Sequence, residues 1–216
     1  MGAEMMQTFT SRKGLFFGAV LAMLGLIGPA QAALLSPGGT LFPAPAEAAP
    51  AGPVLANTGP IAFAAPGFFS GTLTTQVIQD STNPFGAGRL TFVYQFANNA
   101  ASPNSIARMT VDSYTGFLTD ASYVATSGIT PTSIDRLTAG VIGANFNAVP
   151  PGSPVAPGQQ SAQIVIQTNA TAFGTTFASV IDGGQATNIQ SFGPVPEPAS
   201  LGLIALVGCL GLRRRH

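Results

Sequence analysis

Hydrophobic and polar side chains alternate along several short segments in the middle of the chain. In the stretch GRLTFVYQFA, Leu90, Phe92, Tyr94 and Phe96 share one side, and smaller or polar residues lie between them. A period of two residues is typical of a β-strand with one buried face. ARMTVDS, SAQIVIQT and TAFGTTFASVI alternate in the same way. These four segments are predicted strands, and weaker patterns predict four more at residues 72–79, 117–125, 141–148 and 187–192.

The same alternation predicts which side chains form the core. Tyr94 lies on the apolar side of its segment, so we expect it to be buried. In TAFGTTFASVI we expect Phe173, Phe177 and Ile181 to point inward, with threonine and serine between them. Large apolar side chains on one face of each strand can supply a core between two sheets.

Turn-forming residues separate the predicted strands. Asn83-Pro84, Pro150-Pro151-Gly152 and Asp182-Gly183-Gly184 stand between apolar segments. No segment of this region keeps the 3.6-residue period of a helix. The predicted fold class is therefore all-β, an antiparallel β-sandwich of about eight short strands over residues 67–193.

The segment before this domain has a different composition. Residues 36–66 contain seven prolines among 31 residues, with alanine and glycine filling most of the remainder. Proline removes backbone donors from helices and sheets. We therefore predict that residues 33–66 form an extended, mostly disordered linker. The stretch VLANTGPIAFAA within it is a candidate first strand.

The N-terminal residues have the layout of a secretory signal peptide. Arg12 and Lys13 precede an apolar run at residues 15–27, and small residues follow it. This order of charge, apolar core and small side chains is typical of a cleaved export signal. Residues 1–32 are the predicted signal peptide, and the residues of the cleavage site are Ala30, Ala32 and Ala33, the last being the first mature residue.

A second apolar run lies near the C-terminus. Residues 199–212 would form a helix of roughly 21 Å, shorter than a hydrocarbon core of about 30 Å. Arg213, Arg214 and Arg215 follow it. Positive residues flanking both apolar runs favour a cytoplasmic position for both ends, with the remainder exported. We predict a short apolar helix that associates transiently with the membrane.

The chain has few charged residues, and their distribution argues against nucleic-acid binding. Only 7% of residues are charged, against about 25% in typical soluble proteins. Between Ala33 and Val195 three arginines and six carboxylates give a net charge of −3. A nucleic-acid-binding protein needs a basic patch, so no nucleic-acid partner is expected. The one cysteine, Cys209, lies in the apolar tail, so the exported domain can form no internal disulfide.

The exported domain has few residues that catalyse reactions or bind metals. The single histidine is His216, so no Ser-His-Asp set and no transition-metal site is expected in the domain, and we expect no cofactor. Asp112 and Asp120 lie on neighbouring predicted strands and are a candidate hydrolytic pair. The scattered aspartates are candidate Ca²⁺ ligands, although none lies in a known calcium loop: Asp80, Asp112, Asp120, Asp135 and Asp182. Simpler roles are a hairpin turn for Asp182, and for Asp135-Arg136 a local charge pair or solvated strand edge.

Sugar binding normally uses exposed aromatic rings. The chain has no tryptophan, and its three tyrosines are Tyr94, Tyr114 and Tyr123. With Tyr94 in the core, Tyr114 and Tyr123 are the candidates for a small exposed platform. Two tyrosines form a weak platform for a glycan.

The C-terminus carries a resemblance to a known family of sorting signals. Val195-Pro196-Glu197-Pro198-Ala199-Ser200, then an apolar run and an arginine cluster, resembles the PEP-CTERM sorting signal over about 22 residues, 195–216. The resemblance implies recognition by a membrane protease-transpeptidase of the exosortase type, in bacteria that often make extracellular polysaccharide. It implies that Pro196, Glu197 and Pro198 are the recognition tripeptide. Arg213, Arg214 and Arg215 would be the cytoplasmic cluster.

Together these features predict the organisation and the function. We expect a signal peptide (1–32), a linker (33–66), a β-sandwich (67–193) and a sorting tail (194–216). The predicted function is that of a non-catalytic bacterial surface or matrix protein, exported by the secretion machinery and processed by an exosortase-like enzyme. Extracellular polysaccharide is a candidate partner. The alternatives are a binding module for a glycan or a surface protein, and a carboxylate-based hydrolase.

Overall fold

The computed structural model describes residues 33–146 and 153–196. These residues form thirteen strands: β1 (Thr40–Leu41), β2 (Ala46–Glu47), β3 (Val54–Asn57), β4 (Ile61–Ala65), β5 (Phe69–Gln79), β6 (Leu90–Asn98), β7 (Arg108–Val111), β8 (Thr119–Val124), β9 (Ser133–Arg136), β10 (Ile142–Asn145), β11 (Gln163–Thr168), β12 (Phe173–Asp182) and β13 (Gln185–Pro194). No helix that could cross a membrane occurs among them. The predicted signal peptide and C-terminal helix lie outside the described residues.

The strands form two sheets. One sheet has six strands in the order β1-β9-β10-β7-β12-β13, and the other has seven, β2-β8-β11-β6-β5-β3, with β4 also pairing with β5. All pairs are antiparallel except β2 with β8. The prediction of an all-β, sandwich-like fold is confirmed. The expected number of about eight strands is too low, because several strands of two to five residues are too short to show a period.

Alternate side chains of both sheets meet in one core. On β6 the predicted inward residues Phe92, Tyr94 and Phe96 are all fully buried. The rings of Phe96 and Phe146 pack edge to face with centroids 5.3 Å apart. Such aromatic pairs add about 0.5–1.5 kcal/mol beyond the burial of their surface. The central strand β6 therefore anchors the fold as its pattern predicted.

The predicted orientation of β12 is wrong at Phe177, whereas Phe173 packs partly against the core as predicted. Phe177 is 54% exposed, whereas Ala178 and Val180 are buried in the core. A shift of one residue reverses the two faces of a strand. Pairing with β7 places Ala178 opposite Val111, which points into the core. Residues opposite each other share a face, so Ala178 and Val180 point inward. The outer side of this sheet therefore carries an exposed phenylalanine.

The predicted linker is part of the domain, which corrects the expectation of an extended and mostly disordered segment at residues 33–66. Four strands form there, β1 in the six-stranded sheet and β2, β3 and β4 in the seven-stranded sheet. Leu35 is 1% exposed, and Phe63 and Ala65 also join the core. Proline is tolerated there because short edge strands leave some backbone N–H groups without a ladder partner.

Residues 48–53, which we call the strap, connect the two edges of the seven-stranded sheet. The strap leaves β2 at one edge and enters β3 at the other. Five strand spacings of about 4.8 Å require roughly 24 Å, which these residues reach only when almost fully extended. Ala51 N donates to Asp80 Oδ1 at 3.3 Å, and Gln79 N donates to Pro53 O at 3.0 Å. On this sheet a second apolar cluster lies apart from the main core and is also buried: Ile78, Val93, Val124 and Val165.

Candidate functional site

The last strand ends at the start of the predicted sorting tail. β13 forms one edge of the six-stranded sheet and pairs with β12 from Gln185 to Pro194. Beyond the strand, Val195 N still donates to Ala172 O at 3.1 Å. Pro196 is exposed. The chain therefore leaves the domain from a fixed sheet edge at residue 196, and Glu197, Pro198 and Arg213, Arg214 and Arg215 lie outside the described residues.

A buried tyrosine holds this final strand against the opposite sheet. The Tyr94 hydroxyl on β6 donates to Phe192 O at 2.7 Å. The Tyr114 hydroxyl lies 2.6 Å from the Tyr94 oxygen and donates to it, because the single Tyr94 proton is already used. Tyr94 is buried as predicted. The expected exposure of Tyr114 is wrong, because its ring packs edge to face on Phe92 and its hydroxyl completes this chain of bonds.

The structure does not bring the predicted hydrolytic pair together. Asp112 follows β7 in the six-stranded sheet and is exposed, whereas Asp120 lies on β8 in the seven-stranded sheet and is 2% exposed. Adjacent residues Val111 and Ala121 belong to the core, so both aspartates point away from it on different sheets. Sheets pack about 10 Å apart, so Asp112 and Asp120 cannot act on one bond.

The neighbour of Asp120 is Glu47, a residue of the predicted linker. Ser122 donates to Glu47 Oε2 at 3.0 Å. Glu47 Oε1 and Asp120 Oδ1 are buried and have no hydrogen-bond partner. Burial, and then the negative charge of Glu47, raise the pKa of Asp120 to about 7. Burial also raises the pKa of Glu47. We call Glu47 and Asp120 the carboxyl pair.

Asp80 lies near this pair but, unlike it, accepts hydrogen bonds at both of its carboxylate oxygens. Thr82 N and Oγ1 donate to Oδ1 at 2.9 and 2.7 Å, and Thr91 and Gln167 donate to Oδ2 at 3.1 Å each. Burial opposes ionisation, but these bonds outweigh it and lower the pKa of Asp80. Asp80 is therefore a stable anion that also holds the strap. Its role depends on contacts up to 87 residues apart in the chain, which no local pattern shows.

The remaining aspartates have structural partners. Arg108 donates to both oxygens of Asp135, at 2.6 and 2.7 Å, and Asn145 also donates to Asp135. Burial opposes ionisation of Asp135, but these partners lower its pKa. The proposed Asp135-Arg136 pair is wrong, because side chains of adjacent strand residues point to opposite faces. Asp182 begins the two-residue turn between β12 and β13, where Gly183 and Gly184 have positive φ, as predicted.

Among residues 33–146 and 153–196, no group of three or more His, Cys, Asp or Glu side chains could hold a metal ion. The five candidate calcium ligands are distributed over both sheets and their loops. They do not form one site.

Comparison with known protein families matches residues 194–215 to the PEP-CTERM protein-sorting motif. The match begins at Pro194, the residue that ends β13. No curated protein and no solved structure matches the chain. The chain thus carries a C-terminal PEP-CTERM protein-sorting motif, which implies an exported, cell-surface-sorted protein that an exosortase processes.

Proposed function

We propose that the protein is a non-catalytic component of the bacterial surface or extracellular matrix, and that its β-sandwich is the product delivered by the sorting tail. One observation carries this proposal. The last strand ends at Pro194, where the sorting motif begins. A cut near Pro196–Pro198 would therefore remove the tail and leave all thirteen strands in place.

The junction suits a processing enzyme. Pairing with β12 and the bond from Val195 N fix the chain up to residue 195, and the exposed Pro196 follows at once. Proline disfavours helix in the residue before it and supplies no backbone donor for further strand pairing. A protease can bind an extended segment of this kind without unfolding the domain.

Two features of the domain support a structural role. The candidate hydrolytic carboxylates Asp112 and Asp120 lie on different sheets, and Asp135 forms a salt bridge with Arg108. Its sequence is rich in threonine, serine, asparagine and glutamine and poor in charge. Such a surface suits a hydrated polysaccharide layer, which remains the candidate partner. A glycan-binding role has less support, because burial of Tyr114 removes half of the proposed aromatic platform.

The test is the substitution Glu197→Ala in the native host, with Asp112→Ala as the matched control at an exposed acid of the domain. We expect the E197A protein to keep its tail and to accumulate in the inner-membrane fraction as a species about 2 kDa heavier than the processed form, the mass of roughly 20 residues. The D112A protein should be processed and sorted normally. Equal processing of both variants would contradict the proposal.

A further inference from the structure

The carboxyl pair has no cation among the described residues, although burial of such a charge normally requires one. Asp120 is almost fully buried and its Oδ1 has no partner, and Glu47 Oε1 beside it also has none. An unpaired buried carboxylate is costly, and two in contact repel each other. Either a proton or a positive group must compensate them.

The three arginines of the described residues are bound elsewhere. Arg108 is paired with Asp135, and Arg89 donates to Asn169 O. Arg136 donates to the carbonyl or hydroxyl oxygens of four other residues, none of them in the carboxyl pair: Leu35, Tyr114, Phe117 and Thr119. Asp80, the nearby third acid, is itself negative. Within residues 33–146 and 153–196 no side-chain cation is therefore supplied to the pair.

One backbone atom is placed to become that cation. Leu34 bridges antiparallel to Asp120, and Ala121 N donates to Ala33 O at 3.4 Å. Ala33 therefore lies beside β8 at the level of Ala121, between Asp120 and Ser122. Farther along the same edge, β2 pairs with Tyr123 and Val124, and Glu47 reaches back to the Ser122 hydroxyl. Asp120 and Ser122, the hydroxyl of which binds Glu47, are thus the residues on either side of Ala121, the residue opposite Ala33, and Ala33 N begins this edge segment.

Ala33 is also the residue expected to follow the signal-peptide cut. In the precursor its nitrogen is a neutral amide bonded to Ala32. After cleavage of that bond by water, the carboxylate leaves with the signal peptide and the nitrogen becomes an ammonium group. We infer that this new α-ammonium group of Ala33 binds the Glu47–Asp120 carboxyl pair, so that removal of the signal peptide completes the fold. This inference rests on the proposed export and cleavage.

The pair would then distinguish precursor from product. Before cleavage no cation of the described residues compensates the two acids. After cleavage one ion pair joins the new N-terminus, β2 and β8. The strap begins directly after Glu47, so the same contact also holds its start.

The sequence provides a clean probe for this contact. Lys13 is the only lysine and lies in the signal peptide, so a chain that begins at Ala33 has a single amine, its own N-terminus. Reductive methylation with ¹³C-formaldehyde labels that amine alone and keeps its positive charge. Its ¹³C shift followed against pH gives the pKa of the α-amino group directly.

We would compare chains running from Ala33 to the C-terminus and from Ala32 to the C-terminus, both in mild detergent. We expect the pKa of the Ala33 amine to exceed its usual range of about 7.7–8.0 by roughly one unit or more. One added residue displaces the ammonium, so the amine of the Ala32 chain should titrate in the usual range. In the Ala33 chain, Glu47→Gln with Asp120→Asn should restore the usual value, and Asp112→Asn should not.

Thermal stability gives a second measurement that does not need the double variant to fold. In the Ala32 chain Asp120 has a pKa of about 7 when folded and about 3.9 when unfolded, so the folded state binds the proton more tightly. Its melting temperature should fall as the pH rises from about 4 to 7. In the Ala33 chain this fall should be absent, and stability should decline only as the pH rises from the usual amine pKa of about 8 through the raised one.

A usual amine pKa and the same fall in both chains would overturn the inference. A melting temperature raised by Ca²⁺ equally in both chains, and only with Asp120 present, would also overturn it by placing a metal at the pair. An N-terminus other than Ala33 in the native host would instead contradict the proposed processing. The two failures are therefore distinguishable.

Discussion

A chain that lacks residues 33–53 is expected not to fold, although these residues have the composition of a linker. The deletion removes β1 and β2 from the two sheets, the buried Leu35 and the strap. Burial of one leucine side chain alone contributes about 1.5–3 kcal/mol. The deletion also removes Leu35 O, an acceptor of Arg136. The loss from this one leucine side chain is already a sizeable part of the 5–15 kcal/mol that stabilises a typical domain, and the pairing of β1 and β2 with their neighbours is lost with it.

The measurement is far-UV circular dichroism with thermal unfolding, and the control is the chain that begins at Ala33. We expect a cooperative transition in the control and none in the truncated chain. If the truncated chain unfolds cooperatively at the same temperature, residues 33–53 are a dispensable linker and the assignment of β1, β2 and the strap to the domain is wrong.

Replacing Arg136 with methionine is expected to destabilise the domain by about 3 kcal/mol. Arg136 is 2% exposed, and its guanidinium group joins three parts of the chain. Nη1 donates to Leu35 O at 3.1 Å and to Thr119 Oγ1 at 2.8 Å, and Nη2 donates to the carbonyls of Tyr114 and Phe117. Methionine keeps most of the volume but leaves these buried acceptors with one donor fewer each.

Arg89→Met is the matched control, because the Arg89 side chain makes one hydrogen bond, from Nη1 to Asn169 O at 3.0 Å, and the residue is only partly buried. We expect its effect on the free energy of unfolding, measured in urea, to stay within about 1 kcal/mol. Replacing a buried charge with an apolar residue sometimes stabilises a protein. A more stable R136M variant would show that the cost of burying this charge exceeds the value of its bonds.

The sequence predicted the central strands because their signal is local. Phe92, Tyr94 and Phe96 alternate with smaller residues, and a buried central strand keeps that alternation in the structure. The sorting motif was predictable for a related reason, because its tripeptide, apolar run and arginines follow one another within a single short segment of the sequence. Its match at residues 194–215 confirms the resemblance found over residues 195–216.

The features that the sequence did not predict depend on distant partners. In TAFGTTFASVI both faces carry plausible core residues, and only the pairing of Ala178 with Val111 selects one. Prolines near β1 and β2 suggest disorder until their neighbours in the two sheets are known. Glu47 and Asp120 are 73 positions apart in the sequence, so no spacing rule could join them.

The central claim is that both charged apolar ends are removed and the domain between them is the working product. Mass spectrometry of the intact protein from its native host, in membrane, surface and medium fractions, tests it most directly. We predict a mature species that begins at Ala33, ends near Pro196–Pro198 and lacks Cys209 and the three terminal arginines. A mature species that retains both the N-terminal apolar run and the arginine cluster would contradict the account.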